Sequence, residues 1–211
     1  MPSLVKHKRR LHGYSGSAAK HENLDLRSAQ AFGSVWKDYD FIRCNLSGAN
    51  FQNATFENVR FDDCTGLLCN LSMCKMSGVK FLGGWWEQAI FTVGILKSVT
   101  FQTVNLSYSS FAETLVTNLG FPDSNLHGAD LRFLEAFGVD FRGANLWGAA
   151  MSLGCQFFNG KFDEKQCQMF QALVARRYPV EYIGDRMRVL AGAQADLVDR
   201  LMRSEDEHEQ P

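Results

Sequence analysis

The residues of this 211-residue chain best suited to chemistry are its six cysteines: Cys44, Cys64, Cys69, Cys74, Cys155 and Cys167. Thiolates that converge on one point hold zinc, and paired thiols form disulfides. Cys64, Cys69 and Cys74 follow one another at intervals of five. That spacing, read with the period described below, turns successive thiols towards different walls and away from a shared metal. Cys44 and Cys64 stand twenty apart, so a disulfide is geometrically open to them, although a reduced pair is the expectation for a cytosolic chain. Acid–base chemistry finds little support. His7, His12, His21, His127 and His208 are scattered. The acids Asp62, Asp63, Asp123, Asp130, Glu135 and Asp140 are interspersed with Arg60, Arg132 and Arg142, which reads as a solvated surface. There is no glycine-rich phosphate loop and no nucleophile–base pair. The sequence therefore predicts no catalytic residues, no metal ligands and no cofactor.

The dominant signal is periodic. Every twentieth residue from 41 to 141 is phenylalanine: Phe41, Phe61, Phe81, Phe101, Phe121 and Phe141. Two residues before them stand Tyr39, Val59, Val79, Val99, Leu119 and Val139. The finer beat is five. Between Trp36 and Met151 each fifth residue is a sizeable apolar one except Gly66 and Ala136, which predict dents. The position two before it is mostly small, and Asn or Asp often precedes it, as in CNLSG, ANFQN, VDFRG and ANLWG. Neither the helical period of 3.6 nor the strand period of 2 accounts for this, so the chain is a repeat architecture. Four of the cysteines fall on the small position, where a buried apolar role is the simplest reading.

The pattern A-(D/N)-(L/F)-x-x resembles the pentapeptide-repeat family over at least residues 34–153. The resemblance implies an all-β solenoid: a right-handed quadrilateral β-helix in which four pentapeptides make one coil, with a C-terminal α-helical cap. The central residue and the small residue two before it both point inward. About six coils at roughly 4.8 Å spacing give a rod some 30 Å long. The structural core is then Phe41, Phe61, Phe81, Phe101, Phe121 and Phe141. Burial of apolar area, at about 25 cal/mol per Å², supplies most of the stability.

The expected organisation is a basic tail over 1–22, the β-helix over 23–162, C-terminal helices over 163–203 and an acidic tail over 204–211. The first tail carries Lys6, Lys8, Arg9, Arg10 and Lys20, and is either solvated or a basic arm for a partner. Phe157 and Phe162 fall one residue off the five-residue lattice, so the coil is expected to end there. Asp163 with Gln166 three residues later is a capping-box signal for a lid helix over 164–177, which Pro179 stops. A second helix over 181–203 has Ile183, Met187, Leu190, Leu197 and Leu201 at alternating spacings of four and three, with Gln194 as the polar position. This stripe either packs on its own domain or is the seam of a homodimer, and the dimer is preferred.

No apolar run is long enough to span a bilayer and no signal peptide opens the chain, so a cytoplasmic protein is expected, or a secreted effector made without a cleaved signal. Net charge is −1, which argues neither for nor against direct nucleic-acid binding, and none is expected. Trp85, Tyr108, Phe133, Phe137 and Trp147 fall on outward positions. They are candidate interface residues, or places where the coil bulges and the rings turn in. The segment FDEKQCQMFQALVARRYPVEYI is similar to the closing helix of the Qnr-type quinolone-resistance branch of the family, and NLSYSSF is similar to that branch's repeats. That resemblance implies a non-catalytic protein that shields DNA gyrase or topoisomerase IV by imitating DNA. The alternative is a scaffold or effector that uses the rod as a docking surface.

Overall fold

The computed structural model describes residues 13–151, 156–158, 160–164, 166, 180–183 and 186–189. Each pentapeptide builds one side of a square coil. The residue two after the centre is the corner, and its backbone is left-handed at position after position: Asp38, Arg43, Gly48, Asn53 and Asn58 have φ of 55°, 50°, 66°, 60° and 52°. Asn and Asp before the centre stabilise this turn locally. The Asn45 side-chain carbonyl accepts the Ser47 N–H at 3.0 Å, and Asn50 and Asn70 do the same for Gln52 and Ser72.

Among the described residues there are twelve strands. They are β1 Ser15–Glu22, β2 Val35–Ile42, β3 Thr55–Glu57, β4 Arg60–Asp62, β5 Lys75–Ser77, β6 Lys80–Leu82, β7 Ile95–Gln102, β8 Leu115–Gly120, β9 Glu135–Asp140, β10 Gln156–Phe158, β11 Val180–Ile183 and β12 Arg186–Val189. Pairing from β1 to β9 is parallel and in register at twenty residues, as in Phe41↔Phe61 and Phe81↔Phe101. The result is a parallel β-solenoid of about six turns.

Inside, the six phenylalanines from Phe41 to Phe141 stack with centroid separations of 5.2, 4.8, 4.4, 5.3 and 5.2 Å. The small position two before the centre has a polar duty when it carries a thiol or hydroxyl. Cys64, Cys74, Thr114 and Ser124 donate to the carbonyls of Phe41, Phe51, Phe91 and Phe101, each 23 residues earlier. Such contacts staple one coil to the one before it. Gly66 is not a dent. A Cβ there would lie 2.2 Å from Cε3 of Trp86, so the indole one coil on fills the volume that glycine leaves. Ala136 is likewise fully buried.

Three expectations change at the ends. Residues 15–22 are not tail but the first strand, paired with β2 from Ser15↔Val35 to Glu22↔Ile42. The remainder of the expected tail, 1–12, lies outside the described residues. Nor does the coil stop where the lattice slips. Gln156↔Glu135 and Asp140↔Lys161 are 21 apart, so the last turn absorbs one extra residue and Phe162 stacks on Phe141 at 5.5 Å. Third, the helix expected from 181 is replaced over its first part by strands. Antiparallel β11 and β12 pair with each other, and β12 pairs with β10. Val180, Tyr182, Ile183 and Val189 favour strand. Ile183 and Met187 therefore lie on paired strands, opposite Arg186 and Tyr182, and not on one helix, while Leu190, Gln194, Leu197, Leu201 and the acidic tail lie outside the described residues.

At the C-terminal mouth Glu164 and Gln166 are helical, and the rest of the expected 164–177 helix is outside the described residues. Asp163 and Gln166 form a reciprocal capping box at 3.1 and 2.9 Å. The Gln166 amide also donates to the carbonyls of Phe141 and Ala144, and the Asp163 carboxylate accepts the Gly143 N–H at 3.1 Å. Backbone groups of the last coil are thereby satisfied by side chains.

Candidate docking surface

The fold leaves three positions per pentapeptide outside: the residue before the centre, the one after it and the corner. The corner is the most demanding, because its left-handed backbone suits glycine, asparagine and aspartate. Five corners carry bulky apolar side chains instead. Leu68, Met73, Val93, Tyr108 and Phe133 have φ of 57°, 58°, 58°, 57° and 59°. Val93 is the sharpest case, since β-branching makes this region a genuine outlier. All five are exposed, Val93 by 52% and Phe133 by 54%.

These residues gather in two zones. One follows the corner between the sides centred on Phe91 and Leu96. Met73, Val93, Glu113 and Phe133 succeed one another there at twenty-residue spacing, and Ile95 and Leu115 pair in register beside them. The second zone holds Leu67, Leu68, Trp85 and Tyr108, with Trp147 further along the same side. The Tyr108 hydroxyl meets the His127 imidazole at 3.1 Å, and the two rings lie edge-on at 5.2 Å. Next to this zone the amides of Asn105, Asn125 and Asn145 form a ladder with links of 3.2 and 2.9 Å.

A shallow groove of about 460 Å³ interrupts the first zone. Glu113, Thr114, Leu115, Phe133 and Glu135 line it. Its two carboxylates make no ion pair among the described residues. Elsewhere several acids are matched. Arg27, Arg132 and Arg142 each grip an aspartate two residues earlier through both guanidinium and backbone contacts, and Arg60 holds Asp62 at 2.6 Å. Hydrogen bonding to Arg132 and Arg142 keeps the Asp130 and Asp140 carboxyls below their usual range. Over residues 31–162 there are eleven acids against nine bases.

All five sequence candidates, Trp85, Tyr108, Phe133, Phe137 and Trp147, are exposed. At Gly83–Glu87 the chain does not bulge. Gly84, at φ 84°, lets the backbone pass close to Cys64, while Trp85 points out and Trp86 is fully buried. The structure does not unite the five, since Phe133 and Phe137 lie near the groove and the other three lie on the second side. Sequence reading missed Met73, Val93, Ile95 and Leu115. Their signal was available, because the corner phase was readable and a valine or methionine there is anomalous.

The thiols serve the interior. Cys44, Cys64, Cys69 and Cys74 are free and buried. Burial pushes the Cys74 thiol up to about 12 and raises that of Cys69 too. Side-chain hydrogen bonding between Cys44 and Cys64 lowers the first and raises the second.

A parallel solenoid with a five-residue beat, a stacked aromatic interior and left-handed corners defines a class of repeat protein. Residues 34–111 match the family model described as a pentapeptide repeat region. Those residues form a pentapeptide-repeat region. No curated protein matches it. Among solved structures it is similar to a trypsin-treated form of QnrB1, a plasmid-mediated fluoroquinolone resistance protein. The identity is 14%, over 80% of this chain and 91% of that one, with a TM-score of 0.33. It is also similar to HetL, a pentapeptide repeat protein involved in heterocyst differentiation regulation from the cyanobacterium Nostoc sp. strain PCC 7120, at 15% identity over 74% and 96% of the chains and a TM-score of 0.24. A third is the pentapeptide repeat protein Rfr23 from the cyanobacterium Cyanothece 51142, at 16% identity over 76% and 95% and a TM-score of 0.18.

Proposed function

We propose that the protein is a non-catalytic docking rod that binds a protein partner through the apolar corner at Met73, Val93, Leu115 and Phe133. One observation carries this reading: bulky apolar side chains stand exposed on left-handed backbone that disfavours them. Each such residue costs the fold about 1–2 kcal/mol relative to a conformation it prefers, and strain of this kind concentrates at functional surfaces. The zone at Trp85 and Tyr108 extends the same logic to a second side, with rings of the type enriched at binding hot spots. Four buried, unbridged thiols suit a reducing compartment, so the cytoplasm goes with this reading. The test compares capture by the wild-type rod with capture by the triple variant Met73→Asn, Val93→Asn, Phe133→Asn. A protein retained by the first and lost by the second supports docking at the corner. Identical retention contradicts it.

Topoisomerase shielding is the narrower reading. The closing segment favours it, because Phe162–Gln166 resembles the Qnr-type cap and seals the last coil. DNA mimicry, however, calls for a continuous negative surface. Here the eleven acids over residues 31–162 are interspersed with nine bases, and Glu57, Asp62, Asp130 and Asp140 are each ion-paired. Supercoiling by purified DNA gyrase under a fluoroquinolone separates the readings: restoration by this protein supports shielding, and no restoration leaves docking to a different partner. A homodimer joined at the C-terminal end belongs to either reading. Its support is β11, which ends the sheet and offers an unpaired strand edge among the described residues. Light scattering at micromolar concentration checks it, with twice the chain mass expected and a monomer excluding it.

A further inference from the structure

The groove at the apolar corner carries charge as well as apolar area, and the two together specify a ligand chemistry. Resting on the docking reading above, we propose that the groove receives a basic side chain, lysine or arginine, projecting from an apolar segment of the partner. Its wall is the Phe133 ring, 54% exposed, with Leu115 beside it. Glu113 and Glu135 line it too. Glu113 sits in the corner column between Val93 and Phe133, and Glu135 follows Leu115 in strand register. An ammonium or guanidinium between them meets two carboxylates and the face of an aromatic ring, and its alkyl stem lies along Leu115.

The local cations do not already neutralise these acids. Arg132 donates to Asp130 through Nε and Nη2 at 2.8 and 2.7 Å. Lys97 pairs in register with Thr117, two residues into the next side. The groove thus differs from the stretches at Asp25, Asp62, Asp130 and Asp140, where an arginine two residues away cancels the charge. An apolar groove with uncompensated negative charge disfavours an acidic or purely apolar occupant, because that occupant would leave the glutamates desolvated and unpaired.

The experiment uses the full chain and a short fluorescent peptide alternating leucine and lysine, read by anisotropy at low and at physiological salt. A control peptide carries glutamate in place of lysine. The lysine peptide is expected to bind and the glutamate peptide to bind at least tenfold more weakly. The double variant Glu113→Gln, Glu135→Gln is expected to lose about tenfold in affinity for the lysine peptide and most of its salt dependence. Equal binding of the two peptides, or unchanged affinity in the double variant, overturns the proposal. If Phe133→Asn abolishes binding in that event, the docking reading stands without its basic partner. If Phe133→Asn binds as the wild type does, the corner is not the docking surface and both fall.

Discussion

His21 is the residue whose placement departs furthest from its appearance in the sequence. Read as part of a tail, it is in fact the centre of the first coil's aromatic column, 6.3 Å from Phe41. Its Nε2 is buried without a hydrogen-bond partner. Burial lowers its pKa below the ordinary 6.5. The folded protein therefore binds fewer protons than the unfolded chain in that range. The stability linked to His21 is complete above the unfolded value and declines as the pH drops through it towards the lower folded value. Thermal denaturation at about pH 8 and about pH 5 should show a smaller acid loss for His21→Phe than for the wild type, because the substitution continues the column with a group that does not titrate. Equal losses in the two proteins would remove His21 as the cause.

Elements of this molecule are single sides of a coil, and they compensate one another across coils. Gly66 is small because Trp86 occupies its space. Gly66→Leu, which restores the apparent repeat pattern, should destabilise the protein by about 1–3 kcal/mol or more through overpacking. Adding Trp86→Leu should recover a large part of that loss, and chemical denaturation of the two variants measures the coupling. Additive losses would mean that the two positions do not share a volume. The same element scale explains what the sequence revealed. The five-residue beat was legible because each central side chain must fill the same interior site, so type and phase are both constrained. The Asp163–Gln166 box was legible because capping is local. The last turn was misjudged because one inserted residue shifts the phase without breaking the stack. The strands Val180–Ile183 and Arg186–Val189 were not legible because an apolar spacing of four and three also tolerates two short strands.

For the whole molecule, the division between interior and surface decides function. The interior is specified coil by coil, and Cys64, Cys74, Thr114 and Ser124 donate there to carbonyls of the coil before. The surface along the Asp–Arg pairs is electrically quiet, and exposed pairs of that kind contribute little stability. What remains distinctive is the apolar corner with its acidic groove. The central claim is that these side chains stand there for a partner and against the preference of the fold. Thermal denaturation of the triple variant Met73→Asn, Val93→Asn, Phe133→Asn tests this without knowledge of the partner. Asparagine tolerates the left-handed corner better, by about 0.5–1 kcal/mol per site, which corresponds to a rise of about 2–4 °C in Tm per kcal/mol. A higher Tm than the wild type is the predicted result. A Tm lowered by several degrees would mean that the three residues serve the fold, and it would contradict the claim.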